Sequence, residues 1–369
     1  MSPAASRAAD GARTTRGLAC ALALAAAAAL VACSPAPTAG AGAPSSTAVA
    51  SSGAPPAPAL EVPPVEAPPV PAPWEPGPGE VQPEVKTAAA RAVEVAGTWD
   101  EAATAAAGGS PSGGDGESLL ERLDAAGLLA PDVDRAALAA ALGPLASPAS
   151  AAAAAEVLYP QYGGLTARAA SVMVAARQEL RGPRGAASSR GTTLDVRLAP
   201  SPDGDWRVTG VVPAAPRPPD GAPSALGEQV LASPRVELPE DAAADVRQGV
   251  VADDALAVLL RLAEQHEVAV SVFRTGHPAE VFGTDRLSNH TRGRAVDVWR
   301  LDGRLVVDPA ARGVAVAAMR AAGAAGATEV GGPVDLDAGP GGGFFSDALH
   351  ADHLHIGLTP GEEPIGPPR

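Results

Sequence analysis

The chain is poor in lysine, histidine, cysteine and aromatic residues. Lys86 is the only lysine, so arginine carries almost all of the positive charge, and aromatic residues make up 3% of the 369 residues. The formal net charge is −15. An acidic chain is repelled by phosphate backbones, and no basic patch interleaved with aromatic residues is present. We therefore expect no nucleic-acid partner.

Alanine, glycine and proline are used in place of the missing residues. The chain has 41 glycines and 39 prolines, so we do not expect all of it to bury a hydrophobic core. This excess, with arginine preferred over lysine, is typical of a GC-rich genome. We interpret it as codon bias and not as a sign of function.

The N-terminus has the order of charged, apolar and small residues that an export signal needs. Arg7, Arg13 and Arg16 precede an apolar run, residues 18–32, which has the length of a signal peptide and is short for a membrane span. The sequence Leu30-Val31-Ala32-Cys33 resembles the lipobox of bacterial lipoproteins. The resemblance implies cleavage after residue 32.

In lipoproteins of this kind a lipid is attached to the cysteine that follows the cleavage site, here Cys33. We therefore expect a lipid-anchored protein on the extracytoplasmic face of the cell membrane, reaching into the cell wall. The alternative is an ordinary secretory signal with an incidental cysteine. Cys20, the other cysteine, is lost with the signal in either case, so no disulfide is expected in the mature monomer.

Composition divides the rest of the chain. Residues 33–84 are rich in Pro and Ala without periodicity and are predicted to be a disordered tether. A first domain is predicted over residues 85–215, a second Pro-rich linker over 216–227 and a second domain over 228–360. The last residues, 361–369, are predicted to be a disordered tail.

The first predicted domain reads as helices followed by strands. Its periodicity predicts helices at 85–106 (interrupted near Gly97), 118–129 and 134–142, then strands at 171–180, 192–199 and 206–212. This order is similar to that of the nuclear transport factor 2-like cone, which implies helices packed on an antiparallel sheet. The domain has no histidine and no clustered acid pair. We expect a spacer or a protein-binding domain and not a second active site.

The second predicted domain carries all six histidines, between His266 and His355. A strand is predicted over residues 230–238 and a helix is capped by Asp253 or Asp254. A buried strand over 268–273 is followed directly by Arg274.

His290 and Asp297 flank Gly293, which lets a loop turn into a strand. His353 and His355 alternate with apolar residues, so on a strand the two imidazoles point to one side. Two histidines and one carboxylate form a zinc ligand set that leaves a fourth position open for water. Zn²⁺ is therefore the expected cofactor. The plainer alternative is a solvated or hydrogen-bonded histidine pair on a strand edge.

These residues match two motifs of a known family. Residues 288–297 have the form S-x-H-x-x-G-x-A-x-D, and residues 353–355 the form H-x-H, of the zinc D-Ala-D-Ala peptidases grouped with lysostaphin-type enzymes and hedgehog domains. The resemblance implies an α+β domain with a central antiparallel sheet, in which His290, Asp297 and His355 bind zinc. Arg274 would stabilise an oxyanion, and Ser288 would position the turn or contact substrate.

The chain departs from the family at two positions. Asp352 stands where the family has a catalytic Glu, and Leu354 where it has a Trp. On a strand Asp352 would face away from His355, whereas His353 faces the same way. His353 is therefore ranked first and Asp352 second as the general base.

Three functions follow as hypotheses. The first is a zinc peptidase that acts on peptidoglycan stem peptides, as carboxypeptidase or endopeptidase. The second is a non-catalytic zinc-containing module that binds peptidoglycan or protein. The third is that only the first, cone-like domain is functional and that the C-terminal domain is inert and binds no metal. His350 is expected to be peripheral to the site, and His266 and His277 are expected to be surface or core residues.

Overall fold

The structure is a computed structural model that describes residues 65–108, 113–212, 220–337 and 342–365. These residues belong to one compact unit. The predicted signal peptide, Cys33 and the first part of the predicted tether lie outside the described residues. Across the described ranges, no helix is long and apolar enough to cross a membrane.

Helices and strands both contribute substantially to the described ranges. The helices are α1 (Pro83–Gly97), α2 (Glu101–Ala106), α3 (Gly116–Ala125), α4 (Arg135–Ala141), α5 (Ala225–Ala232), α6 (Glu240–Arg247), α7 (Asp253–Ala263) and α8 (Arg312–Ala324). The strands are β1 (Trp99–Asp100), β2 (Ala152–Leu165), β3 (Ala170–Arg181), β4 (Ala187–Pro200), β5 (Trp206–Val212), β6 (Val236–Glu237), β7 (Val268–Val272), β8 (Ala295–Leu301), β9 (Arg304–Leu305), β10 (Glu329–Gly331), β11 (Phe344–Phe345) and β12 (Leu354–Gly357).

The first sheet is an antiparallel meander in the order β1-β2-β3-β4-β5. Helix α1 buries Val85, Ala89 and Val93, which recur every four residues and so form one apolar stripe. They belong to the same hydrophobic cluster as the inward-facing residues of β3 and β4. The predicted helices and strands of this region are confirmed. Strand β2 was not predicted, because its alanine run favours a helix and only pairing with β3 makes it a strand.

The second sheet has the strand order β11-β10-β12-β8-β7-β6, with β9 paired to β8. The pairs β6/β7 and β10/β11 are parallel, and the other pairs are antiparallel. Helices α7 and α8 pack on this sheet and fill a second core, in which Leu259 and Met319 are fully buried. The α+β class is confirmed. Residues 225–232, partly within the predicted strand 230–238, form helix α5, because Ser224 caps its first turn by accepting the Gly227 N–H at 3.1 Å.

The two sheets have separate cores but meet directly, so a layout of two independent domains is not confirmed. The Tyr159 ring on β2 stacks on the Trp299 ring on β8, with centroids 4.7 Å apart. Gly164 also approaches the second sheet's loops so closely that a Cβ there would lie 1.9 Å from a ring carbon of Phe282. Strand β2 of the first sheet therefore packs directly against strand β8 and the loop that carries Phe282.

Residues 65–82, at the end of the predicted tether, lie against the first core. Trp74 and Val81 pack against that cluster, and the Trp74 backbone N–H donates to Glu94 Oε1 at 2.6 Å. Glu80, in the same segment, contacts Lys86 and accepts from the Tyr159 hydroxyl at 3.1 Å, so this irregular stretch of chain brings a carboxylate next to strand β2.

Candidate metal centre

Two neighbouring strands and one turn bring the predicted ligands together. Asp297 on β8 and His355 on β12 are directly paired across the antiparallel ladder. His290 lies in a short 3-10 turn that ends at Gly293 with φ of 65°. A Cβ at Gly293 would lie 1.9 Å from the Val250 carbonyl oxygen, so only glycine permits this turn.

The ligand atoms of these three residues form a small triangle. His290 Nε2 lies 3.1 Å from His355 Nδ1 and 3.1 Å from Asp297 Oδ1. His355 Nδ1 lies 3.0 Å from the same Asp297 oxygen. All three side chains are buried or nearly so. Two imidazole nitrogens and one carboxylate oxygen therefore lie close enough together to coordinate one metal ion.

The far nitrogen of each imidazole has its own acceptor. His290 Nδ1 faces the Phe273 carbonyl oxygen at 2.5 Å, and His355 Nε2 faces Glu329 Oε1 at 3.2 Å. A neutral imidazole that donates from its far nitrogen keeps a lone pair on the near one. Acceptors of this kind fix the tautomer of metal-binding histidines in proteins. Glu329 was not predicted from the sequence.

The acidic and basic groups stabilise one another. Burial disfavours charge on Asp297, but His290 and His353 hold its pKa well below the usual range. Burial also disfavours a charged His355, yet hydrogen bonds to Asp297 and Glu329 raise its pKa to about 10. Burial would raise the pKa of Glu329, but the same contact with His355 lowers it to about 2. Without a metal, this cluster holds a proton on His355.

The second oxygen of Asp297 is held by the first sheet. Gln161 on β2 donates from Nε2 to Asp297 Oδ2 at 2.6 Å. Ser271 on β7 donates to the Gln161 side-chain oxygen and lies 3.2 Å from the Asp297 carbonyl oxygen. Gln161 is completely buried. Sequence reasoning missed it because nothing in its own segment suggests a partner 136 residues away.

His277 lies against the same cluster. Its ligand atom and those of His290 and Asp297 all lie within 4.8 Å of one another, so this group could hold a metal ion. However, the His277 ring stacks on His290 at 3.8 Å with an interplanar angle of 13°. Lone pairs lie in the ring plane, so nearly parallel rings cannot direct them at one ion. The His355 ring is tilted by 54° to His290 and avoids this difficulty.

Burial beside His290 keeps the pKa of His277 well below its usual value. His277 is therefore a neutral imidazole next to the candidate ligands, not the surface or core residue expected from the sequence. The turn that follows Arg274 places it there. Its proximity to that arginine was the only sequence signal that could have suggested this position.

His353 and Asp352 form a buried pair beside the ligands. Asp352 Oδ1 lies 2.6 Å from His353 Nδ1, and His353 Nε2 lies 3.7 Å from Asp297 Oδ2. Burial opposes charge on Asp352, but Lys86 holds its pKa below the usual value. Asp352 is thus an ionised acceptor that orients the imidazole, whose other nitrogen faces the ligand cluster.

A cavity of about 250 Å³ opens onto the cluster. Asp297, His353 and His355 line it, together with Ser288 and the exposed Arg286. The Ser288 hydroxyl accepts the His290 backbone N–H at 3.3 Å, so it both holds the turn and faces the cavity.

Arg274 is not among the described residues that line this cavity. Its Nε lies 3.4 Å from the Thr291 carbonyl oxygen, and its backbone N–H donates to Asp245 Oδ2 at 3.1 Å. The structure therefore places Arg274 in contact with the loop that carries His290. Its predicted role at an oxyanion stays a prediction.

The remaining histidines differ in their distance from the cluster. His350 lines the cavity, and its Nδ1 lies 2.8 Å from Asp347 Oδ1. His266 contacts Asp302 at 2.8 Å and does not line the cavity. His350 thus borders the site, as expected for a peripheral residue.

Comparison with known proteins adds little to this geometry. No protein-family model matches the chain, and no curated protein is detectably similar to it. Among solved structures, the crystal structure of the Kfla4162 protein from Kribbella flavida matches with 20% sequence identity and a TM-score of 0.16. The match covers 21% of this chain and 51% of that chain, about half of its length. A likeness at this level supports no statement about fold or function.

Proposed function

We propose that this protein is a zinc-dependent peptidase that acts on the stem peptides of peptidoglycan. The observation that carries the proposal is the meeting of His290 Nε2, Asp297 Oδ1 and His355 Nδ1 within 3.0 to 3.1 Å of one another. The cavity beside them gives a substrate access to the cluster.

The donor set fits zinc better than a hard cation. Two imidazole nitrogens and one carboxylate oxygen are ligands that Zn²⁺ accepts, whereas Mg²⁺ and Ca²⁺ prefer oxygen alone. The backbone carbonyl of Phe273 and the carboxylate of Glu329 supply the outer acceptors that a zinc site needs. Bound zinc would supply Lewis-acid chemistry, polarising a carbonyl group and lowering the pKa of water.

The general base in this proposal is His353. Asp352 accepts from its Nδ1, which leaves Nε2 as the proton acceptor on the side of the ligands. Both oxygens of Asp352 already have partners, since Lys86 lies 2.6 Å from Oδ2. Asp352 is therefore less suited than His353 to take a proton from water.

The choice of substrate rests on the sequence. The two motifs resemble those of zinc D-Ala-D-Ala peptidases, and the N-terminal lipobox-like sequence would place the chain at the cell wall, where stem peptides are found. A lipid on Cys33 would be the contact with the membrane.

The first test is the metal content and peptidase activity of the full chain, because Gln161 and Lys86 show that the N-terminal half reaches the site. Purified protein loaded with zinc is incubated with muropeptides, with and without a chelator, and new amino termini are measured. We expect about one zinc per chain and cleavage that the chelator abolishes.

Three variants separate the roles. His290→Ala should lose both zinc and activity, whereas His353→Ala should keep zinc and lose activity. His266→Ala is the matched control, since His266 contacts Asp302 outside the cavity. Tight binding of muropeptides without turnover would refute the peptidase hypothesis and favour the non-catalytic binding module. A chain that binds no zinc would refute both.

A further inference from the structure

Lys86 is completely buried in helix α1, although the neighbouring buried positions of that helix are alanine, valine and glycine. A buried ammonium group is costly unless charged or polar partners surround it. Lys86 is also the only lysine of the chain, so the contacts of its Nζ atom should show why a lysine stands at this position.

Three acceptors surround that atom. Nζ lies 2.6 Å from Asp352 Oδ2 and 3.1 Å from the Tyr159 hydroxyl, and it contacts Glu80 Oε2. An ammonium group has three N–H donors and no acceptor. The number of partners therefore matches the number of donors, and the lysine side chain is held in one place.

Asp352 is held from the other side as well. Its Oδ2 also accepts the Tyr162 backbone N–H at 3.2 Å, while Oδ1 lies 2.6 Å from His353 Nδ1. The carboxylate plane cannot rotate without losing one of these contacts. The His353 side chain is only 3% exposed, and its orientation follows that of the carboxylate.

We propose that Lys86 is a positioning residue for the general base: it fixes Asp352, and Asp352 fixes the His353 imidazole towards the candidate metal ligands. This inference rests on the proposed function, because His353 has a proton to accept only if the site hydrolyses a substrate. It also assigns the N-terminal half a part in catalysis, as the element that holds the base in place.

The competing explanation is an ion pair that serves folding alone. Buried ion pairs often add little net stability compared with apolar residues of similar volume, so a purely structural pair should be replaceable without a specific loss of turnover. The two explanations therefore differ in which kinetic constant changes.

The test uses the full, zinc-loaded chain and the variant Lys86→Met, which keeps an unbranched apolar side chain and removes the ammonium group. Arg91→Met is the matched control, because Arg91 lies on the same helix but its side chain is 55% exposed. We expect kcat on muropeptides to fall about 100-fold in Lys86→Met, the scale of a misplacement of about 1 Å. The KM and zinc affinity of Lys86→Met should stay unchanged. The kcat, KM and zinc affinity of Arg91→Met should all equal those of the wild-type chain.

A double-mutant cycle tests whether Lys86 affects kcat through Asp352. If Lys86 acts through Asp352, Lys86→Met should lower kcat no further when Asp352→Asn is already present. Losses that multiply, or an unchanged kcat in Lys86→Met, would overturn the proposal. Should Lys86→Met fail to fold, Glu80→Gln is added to it, since this removes the second carboxylate left without its cation.

Failure of the proposed function gives a different result. A wild-type chain that binds zinc but cleaves no peptide refutes the peptidase and leaves the positioning contact open to a second measurement. The rate at which diethylpyrocarbonate acylates His353, mapped by mass spectrometry with zinc bound, reports how firmly the ring is held. Faster acylation in Lys86→Met than in Arg91→Met supports the contact, and equal rates refute it.

Discussion

Zinc binding should displace a proton from His355, and the structure gives the size of this effect. Hydrogen bonds to Asp297 and Glu329 raise the pKa of His355 to about 10 in the metal-free chain. A metal ligand must be deprotonated. At pH 7 the neutral fraction of such a group is about one in a thousand, which costs metal binding about 4 kcal/mol at 1.36 kcal/mol per pH unit.

Zinc and a proton therefore compete for the His355 imidazole. Apparent zinc affinity should rise about tenfold per pH unit between pH 7 and 9 and level off near pH 10, and about one proton should be released per zinc at pH 7. Titration calorimetry in buffers of different ionisation enthalpy measures the proton count. Competition with a chromophoric chelator, corrected for the chelator's own protonation, measures the affinity.

Stability of the metal-free chain should show the opposite trend. The folded-state pKa of His355 lies above its ordinary value of 6.5, so its contribution is fully present below pH 6.5. That contribution is lost as the pH rises through about 10. The stabilisation by zinc, measured as the difference in Tm with and without the ion, should therefore grow across this range.

A matched variant isolates the cause. Glu329→Gln removes one of the two carboxylates that hold the proton on His355, so the proton release at pH 7 should fall. If the wild-type chain releases no proton on binding zinc and its affinity does not change with pH, His355 is not a ligand in the way described.

Three further predictions concern other parts of the chain. Gln161→Leu should weaken zinc binding about 10–100-fold, whereas Gln178→Leu should not change the Kd, because Gln178 is a buried glutamine on β3 whose amide donates to the Gly97 and Leu145 carbonyl oxygens. Gly164→Ala should destabilise the fold by about 1–3 kcal/mol in denaturant unfolding, because its Cβ would lie 1.9 Å from an aromatic carbon; Gly210→Ala, with nothing within 4 Å, is the control. Cys33→Ser should abolish incorporation of labelled palmitate into the exported protein; label that remains in the variant contradicts lipidation at this position.

The sequence predicted much of the second half of the chain because its signals are local. A largely apolar run marked the strand near position 270, alternation of histidines with apolar residues marked the strand near 355, and Gly293 marked the turn from the loop of His290 into the strand of Asp297. The residue types then suggested a metal, since two imidazoles and a carboxylate form a ligand set that binds zinc. These inferences needed no knowledge of how the strands pair.

The first sheet was harder to predict. The alanine run of β2 favours a helix by intrinsic propensity, and only pairing with β3 makes it a strand. With that strand missing, Gln161 and Tyr159 had no position, and the sequence predicted a spacer or a protein-binding domain for residues 85–215.

The sequence by itself, through its motifs and their resemblance to a known family, predicted the residues of the candidate site: His290, Asp297 and His355 as metal ligands, and His353 as the general base. Only the tertiary structure decided which groups surround them, because Glu329, Gln161 and Lys86 reach the site from other elements across long stretches of chain. Such contacts depend on how two sheets pack, and no local pattern in the sequence encodes that arrangement.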